Sequence, residues 1–398
     1  MRIMIITPIL FTPQSPFNHI FKGILEGFLD NEMYVVRCVA VDKAQVSDYK
    51  MGIASDHIEY REYKRRKCNK KNFVWRFVFD FWTNFRMAIS ILTTRGIDVL
   101  FEDVSYSSIV PVVLAKIKGI RVASMVQDVW PDNAVESKLI GGTGMIYTFF
   151  NWLQNLVYKK SDKIIVISDD IKEFIASKGI DRAKIDVIYN WGYSDQTVEI
   201  EWDKNIFVQQ QCLNQDTFYA VYAGNIGKMQ NVQVVVEAAK HLKNDADIHF
   251  LIIGDGVEKE IIQRQVDKGN LRNIDILPMQ PPKLATSIYS MAGVNIIPLV
   301  RDGINTALPS KTGICLSCGR PIIACVGVNT QFSKIIKTYG AGETVESEDS
   351  LQLAQAIIKV KNNNLQYKEG TYHCFQQYFN RTNNIKKYSQ IICKLVRY

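Results

Sequence analysis

No apolar run in this chain approaches the roughly 18 residues that a membrane-crossing helix needs. The first residues lack the marks of a secretory signal. Arg2-Ile3-Met4-Ile5-Ile6-Thr7 is short, stops at Pro8 and has no small-residue cleavage site. Cysteine is sparse, with 8 scattered residues lying mostly inside apolar stretches, which suits a reducing cytosol better than a disulfide framework. Cys315 and Cys318 form a C-x-x-C with no second pair to complete a zinc site, so they read as a buried helical pair. Short tandem repeats and nucleic-acid-binding motifs are also missing.

What is present is an ordinary globular composition, 47% hydrophobic and 22% charged, over a length of 398 residues that suits two domains. The net charge of +8 is unevenly spread. Arg61, Lys64, Arg65, Arg66, Lys67, Lys70 and Lys71 face a single acid, Glu62, and aromatics follow at Phe73, Trp75, Phe77, Phe79, Phe81, Trp82 and Phe85. Basic residues beside aromatics fit a membrane surface, with Lys64, Arg65, Arg66, Lys67, Trp75 and Trp82 as the contacts. The alternative is a solvated loop followed by a helix with a thick apolar face.

Strand and helix patterns alternate along the whole chain, which argues for doubly wound parallel sheets. In the first half the expected strands are Ile3–Thr7, Tyr34–Val41, Val99–Phe101, Val122–Val126, Ile164–Ser168 and Asp186–Tyr189. Ser168 should cap a helix whose apolar face carries Ile171, Phe174 and Ile175. Apolar periodicity lapses from Asn190 to Asp216, the expected linker. It resumes with strands at Phe218–Ala223, Ile248–Ile253, Ile274–Leu277, Val294–Ile297 and Ile322–Ala324, and with a helix marked by Val232, Val235, Val236 and Ala239. The expected domains are residues 1–195 and 196–378, with a C-terminal helix over 379–398 packing back on the first. Ligands of such sheets sit beyond the carboxyl ends of the strands, so two facing halves would form a cleft.

Three segments of the second half carry the clearest chemistry. Ala223-Gly224-Asn225-Ile226-Gly227-Lys228 and Leu251-Ile252-Ile253-Gly254-Asp255-Gly256 each end a β-rich run with a glycine turn before a helical pattern, and Pro309-Ser310-Lys311 places a lysine at another helix entrance. Glycine lets backbone N–H groups approach an anion, and a lysine adds a point charge. The expected donor contacts are Gly224, Asn225, Lys228, Gly254, Gly256, Ser310 and Lys311, reading together as a nucleotide-diphosphate site. In the first half, Asp128 follows a strand and could orient or deprotonate an acceptor hydroxyl, as the expected catalytic group; an N-cap or loop role is the alternative. His19, Trp130, Asp132 and Asn133 are the expected acceptor-side residues, although a lone histidine such as His19 is more often structural. Glu102 and Asp103 read as capping groups, and Arg301 either pairs with phosphate or is solvated.

These motifs resemble a known family. The run Tyr222 to Asn231 with the following Glu237-Ala238-Ala239, Phe250 to Gly256, Pro309-Ser310-Lys311 and Cys318-Gly319-Arg320-Pro321-Ile322-Ile323 resemble the donor domain of the family 4 glycosyltransferases, of GT-B architecture, in the bacterial polysaccharide branch. Val126-Gln127-Asp128-Val129-Trp130-Pro131-Asp132, Ile165-Val166-Ile167-Ser168 and Val187-Ile188-Tyr189-Asn190-Trp191 extend the resemblance over nearly the whole chain. It implies a retaining hexosyl- or N-acetylhexosaminyl-transferase with a nucleotide-sugar donor, most simply UDP-linked, and no required metal or other cofactor. The pathway expected for such an enzyme is capsule, O-antigen or exopolysaccharide assembly on a lipid-linked saccharide acceptor, in which case the basic–aromatic stretch from Arg61 to Phe85 would rest on the cytoplasmic face of the cell membrane. There are departures. Asn225 and Gln230 stand where many members carry Arg and Lys, and Thr306 and Ile314 stand where the family has a pair of glutamates. Pro13 to Phe17 replaces the usual glycine pair. A nucleotide-sugar epimerase of the same architecture, or an inactive homologue that partners a transferase, are the alternative functions.

Overall fold

The computed structural model describes residues 1–10, 18–40, 56–65, 73–105, 107–193 and 195–397. The chain divides into two compact units. The first comprises Met1–Asp132, Gly141–Tyr189 and Thr382–Tyr398, and the second Asn133–Ile140 and Asn190–Arg381.

The first unit is built on a 7-stranded parallel sheet in the order β3-β2-β1-β4-β5-β6-β7. Its strands are β1 (Arg2–Leu10), β2 (Glu32–Ala40), β3 (Ile58–Arg65), β4 (Val99–Asp103), β5 (Arg121–Val126), β6 (Lys163–Val166) and β7 (Ile185–Val187). Its helices are α1 (Asn18–Gly27), α2 (Phe73–Thr93), α3 (Ile109–Ile117), α5 (Met145–Lys160) and α6 (Asp169–Ser177), whereas α4 (Asp132–Glu136) belongs to the second unit from Asn133 onward. The α6 start is as expected: Ser168 Oγ accepts the Ile171 N–H at 3.1 Å, and Ile171 and Ile175 are buried. One sheet face packs Met4, Ile6, Leu100 and Val122 against Met87, Ala88 and Ile91 of α2, Val112 and Ala115 of α3 and Val157 of α5. On alternate strand positions Phe101 meets Phe28, at 5.6 Å between ring centres.

The second unit carries a 6-stranded parallel sheet in the order β10-β9-β8-β11-β12-β13. Its strands are β8 (Phe218–Asn225), β9 (Ile248–Asp255), β10 (Ile274–Leu277), β11 (Val294–Pro298), β12 (Ile322–Cys325) and β13 (Gly342–Val345). Its helices are α7 (Ile206–Gln211), α8 (Gln233–His241), α9 (Lys259–Gly269), α10 (Ala285–Met291), α11 (Thr312–Ser317), α12 (Gln331–Tyr339) and α13 (Ser350–Cys374). The final helix, α14 (Arg381–Arg397), belongs to the first unit from Thr382 onward. There Asn384 Nδ2 donates to the Tyr189 carbonyl at 2.8 Å, Tyr388 sets its ring against Phe101 at 6.0 Å, and Ser389 bonds the Gly27 carbonyl.

Three expectations change. Ile58–Arg65 is a strand, not part of a loop, so Lys64 and Arg65 lie on β3 at the sheet edge. Its alternation is dominated by charge, the usual protection of an exposed edge, and this hides the strand pattern. Arg66 and Lys67 fall outside the described residues, whereas Trp75 and Trp82 belong to α2. The stretch from Asn190 to Asp216 is not a free linker. Trp191, Phe207 and Val208 are buried, and Asn205 caps α7 by accepting the Phe207 N–H at 3.0 Å. One helix of six residues is too short to show a period. Finally, the second sheet gains β13 (Gly342–Val345), a strand with little sequence signal because it begins on Gly342, which packs against the Ile322 backbone.

Candidate functional site

In each sheet the strand order reverses once, and such switch points are where doubly wound sheets bind ligands. In the second unit the reversal lies between β8 and β11. The end of β8 holds Gly224 and Asn225, and the first turn and the chain beyond β11 are tied by the Val300 N–H to the Met229 carbonyl at 3.0 Å. Lys311 enters this region from the start of α11. Its Nζ lies 3.6 Å from the ring centre of Tyr222 and donates to the Ala223 carbonyl at 3.2 Å, which also accepts from Tyr289 Oη at 3.2 Å. A methyl group on Gly224 would come within 3.5 Å of this ammonium. The Tyr222 hydroxyl in turn bonds the Asn225 carbonyl. Burial lowers the Lys311 pKa to about 7, with the neighbouring Cys315 acting weakly in the opposite sense.

The two glycine turns interlock. Ile226 N–H donates to the Asp255 carbonyl at 2.8 Å, and Glu258 N–H to the Ile226 carbonyl at 3.0 Å. A Cβ on Gly254 would stand 1.9 Å from the Gly224 oxygen, and one on Gly256 2.3 Å from the Ile226 oxygen. These two glycines therefore serve the close approach of the two turns. The amide of Ile226 is spent within the protein, leaving Lys311 as the better-placed group for an anion. Asn225 donates to Gln230 Oε1 at 3.1 Å, while Lys228 and Ser310 are exposed. The family-glutamate positions are closed: Thr306 is buried and bonds the Gly303 carbonyl at 3.2 Å, and Ile314 is buried. Arg301 pairs at the surface with Glu348 at 3.4 Å. Cys315 and Cys318 are buried free thiols, as read from their spacing.

In the first unit the reversal lies between β1 and β4. Thr7 Oγ1 on β1 donates to Asp103 Oδ2 on β4 at 3.0 Å. Burial pushes the Asp103 carboxyl up to about 7; the Thr7 bond opposes this and the charge of Asp128 adds to it. Asp128 is exposed at its edge, but crowding by protein limits its hydration and pushes it up to about 6. Asp103 thus faces Thr7 and Asp128 and caps no helix. The neighbouring Glu102 is buried and accepts from Ser108 Oγ at 2.7 Å, at the start of α3. This switch-point pairing was not singled out from sequence, since Thr7 gives no signal until β1 and β4 are known to be neighbours.

The other acceptor-side candidates separate. Trp130 is half-buried and sets its ring 5.2 Å from Phe150. Asp132 is buried in an ion pair with Lys178 and accepts from Tyr147 Oη at 2.9 Å, so its carboxylate is committed inside the fold. Asn133 is half-buried on α4, and His19 half-buried in the first turn of α1.

Two family models match the chain: Glycosyltransferase Family 4 over residues 49–191 and Glycosyl transferases group 1 over residues 203–377. The chain is a family 4 glycosyltransferase of GT-B architecture. Among its relatives, the probable glycosyltransferase WbjE of Pseudomonas aeruginosa is 21% identical over 316 residues, 77% of each chain. The putative colanic acid biosynthesis glycosyl transferase WcaI of Escherichia coli (strain K12) is 24% identical over 268 residues, 65% of this chain and 66% of that one. Among solved structures, Anabaena Alr3699/HepE in complex with UDP superposes with a TM-score of 0.74 at 10% identity, covering 99% of this chain and 100% of that one. The matched models make this chain a glycosyltransferase. None of its described helices is long and apolar enough to cross a membrane.

Proposed function

We propose that this transferase moves a hexosyl or N-acetylhexosaminyl group, with retention, from a UDP-linked sugar to a lipid-linked saccharide in capsule, O-antigen or exopolysaccharide assembly. It does so on the cytoplasmic face of the membrane, with no metal. The observation that carries the reading is Lys311, held beside Gly224 at the switch point of the second sheet. A leaving nucleoside diphosphate gains negative charge as the glycosidic bond breaks, and a pre-placed ammonium stabilises that charge. Lys228 is exposed on the same turn and supplies a second cation. The UDP and UDP-glucose complexes of Alr3699/HepE support the choice of nucleotide. On the acceptor side Asp128, just beyond the end of β5, orients or deprotonates the incoming hydroxyl. The test is turnover of UDP-sugars by the purified protein. Release of UDP that depends on acceptor and is lost in Lys311→Ala supports the reading, whereas a protein that binds but never turns over any donor is an inactive homologue.

A further inference from the structure

The α5 helix leaves a large apolar face uncovered. Met145 is 90% exposed, Phe149 52% and Trp152 58%, at a spacing that places them on one side of the helix. Its inner side is anchored by Val157 in the same core that seats α2 and α3, so the three helices cover one face of the sheet. Rings lead from this outer surface towards the acceptor segment. Trp152 is 6.3 Å from Phe149, Phe149 is 5.4 Å from the buried Phe150, and Phe150 is 5.2 Å from Trp130, two residues beyond Asp128. The charged residues of α5 itself are both basic, and those of the neighbouring α2 and α3 are basic but for Asp80. The charged residues of α2, α3 and α5 are Arg76, Asp80, Arg86, Lys116, Lys159 and Lys160, and Lys159 and Lys160 are exposed at the end of α5.

We propose that the outer face of α5 docks on an anionic bilayer, with Met145, Phe149 and Trp152 entering the interfacial layer and Lys159 and Lys160 meeting lipid headgroups. Aromatic and aliphatic side chains on a helix face with flanking lysines suit that boundary, where tryptophan places its ring at headgroup level. A second copy of this chain is a poorer occupant, since it would bring like charges together. Docking here sets the Phe149–Phe150–Trp130 run between the lipid surface and Asp128, so a lipid-linked acceptor reaches the carboxylate without leaving the membrane. The inference rests on the lipid-linked acceptor proposed above. It differs from attachment by the basic segment before α2 in predicting binding that survives high salt.

The experiment is co-sedimentation of the full chain with mixed phosphatidylcholine–phosphatidylglycerol vesicles at low and high salt. Phe149→Glu with Trp152→Glu should reduce vesicle binding roughly a hundredfold, since burying each aromatic contributes an order of magnitude or more. The double variant should keep its UDP-sugar turnover on a short, tail-free acceptor, which shows that the fold and the transferase reading stand. Trp152→Phe should still bind, but should lose the part of the fluorescence quenching that brominated acyl chains produce in the parent. Parent-like vesicle binding by the double variant overturns the proposal. So does loss of tail-free turnover in step with binding, and so does a change in oligomeric state alone, which would make this face a self-association surface.

Discussion

Lys311 Nζ rests 3.6 Å from the ring centre of Tyr222, on the strand whose end forms the first glycine turn. Burial there brings the Lys311 pKa to about 7, so the ammonium is only partly formed at neutral pH. A bound diphosphate favours the charged form and raises that pKa. UDP affinity should therefore be highest below pH 7 and fall as pH rises, by up to about tenfold per unit. Binding above pH 7 should take up a proton. Calorimetry at pH 8 in buffers of different ionisation enthalpy measures that uptake. Lys311→Ala should weaken UDP by about tenfold or more and abolish the pH dependence, because a charge-assisted contact contributes ~1.5–3 kcal/mol.

Asp128 should behave differently. Limited hydration pushes its carboxyl up to about 6, and a group that accepts a proton must be ionised. Transfer should rise with pH through about 6, giving with Lys311 an optimum between the two values in kcat/KM. Asp128→Asn should remove the acidic limb and reduce transfer by about a hundredfold or more while leaving UDP affinity unchanged. Equal losses in both would place the residue elsewhere.

Gly254→Ala tests the interlocked turns. The added methyl would meet the Gly224 carbonyl oxygen at 1.9 Å, and backbone cannot yield as a flexible side chain does. Stability should fall by about 3 kcal/mol or more, read from urea unfolding, and donor affinity should fall with it as the Gly224 turn is displaced.

The Asp132–Lys178 pair makes a structural prediction. Both side chains are nearly buried, and Lys178 also donates to Asn151 Oδ1 at 2.9 Å. Lys178→Met strands a buried carboxylate and should cost about 3–5 kcal/mol, measured by urea unfolding.

What the sequence disclosed and what it hid have physical reasons. A buried parallel strand such as β9 carries a continuous apolar run from Phe250 to Ile253, and the edge strand β10 has the expected bounds although Asp275 interrupts its apolar residues. Ser168 announces α6 because an N-cap is a local feature. The edge strand β3 was hidden by its charges, and the outer face of α5 by aromatics that resemble core residues until their exposure is known. The glycine turns and Lys311 could be found from spacing. The partners that define them could not: Tyr222 against the Lys311 ammonium, Tyr289 at the Ala223 carbonyl, and Thr7 against Asp103 meet only once the fold is known. The ion pair of Asp132 is invisible in the sequence because its partner, Lys178, lies 46 positions away.

The most direct test of the donor assignment is thermal unfolding of the parent and Lys311→Ala across a concentration series of UDP-, GDP- and dTDP-sugars. A ligand bound only by the folded state stabilises it by about 2.7 kcal/mol at a hundred times Kd. The account predicts a melting temperature that climbs with UDP-sugar concentration in the parent, and the same climb in the variant displaced to concentrations about tenfold or more higher. Equal stabilisation of both proteins, or no response of the parent to any nucleotide-sugar, would contradict it.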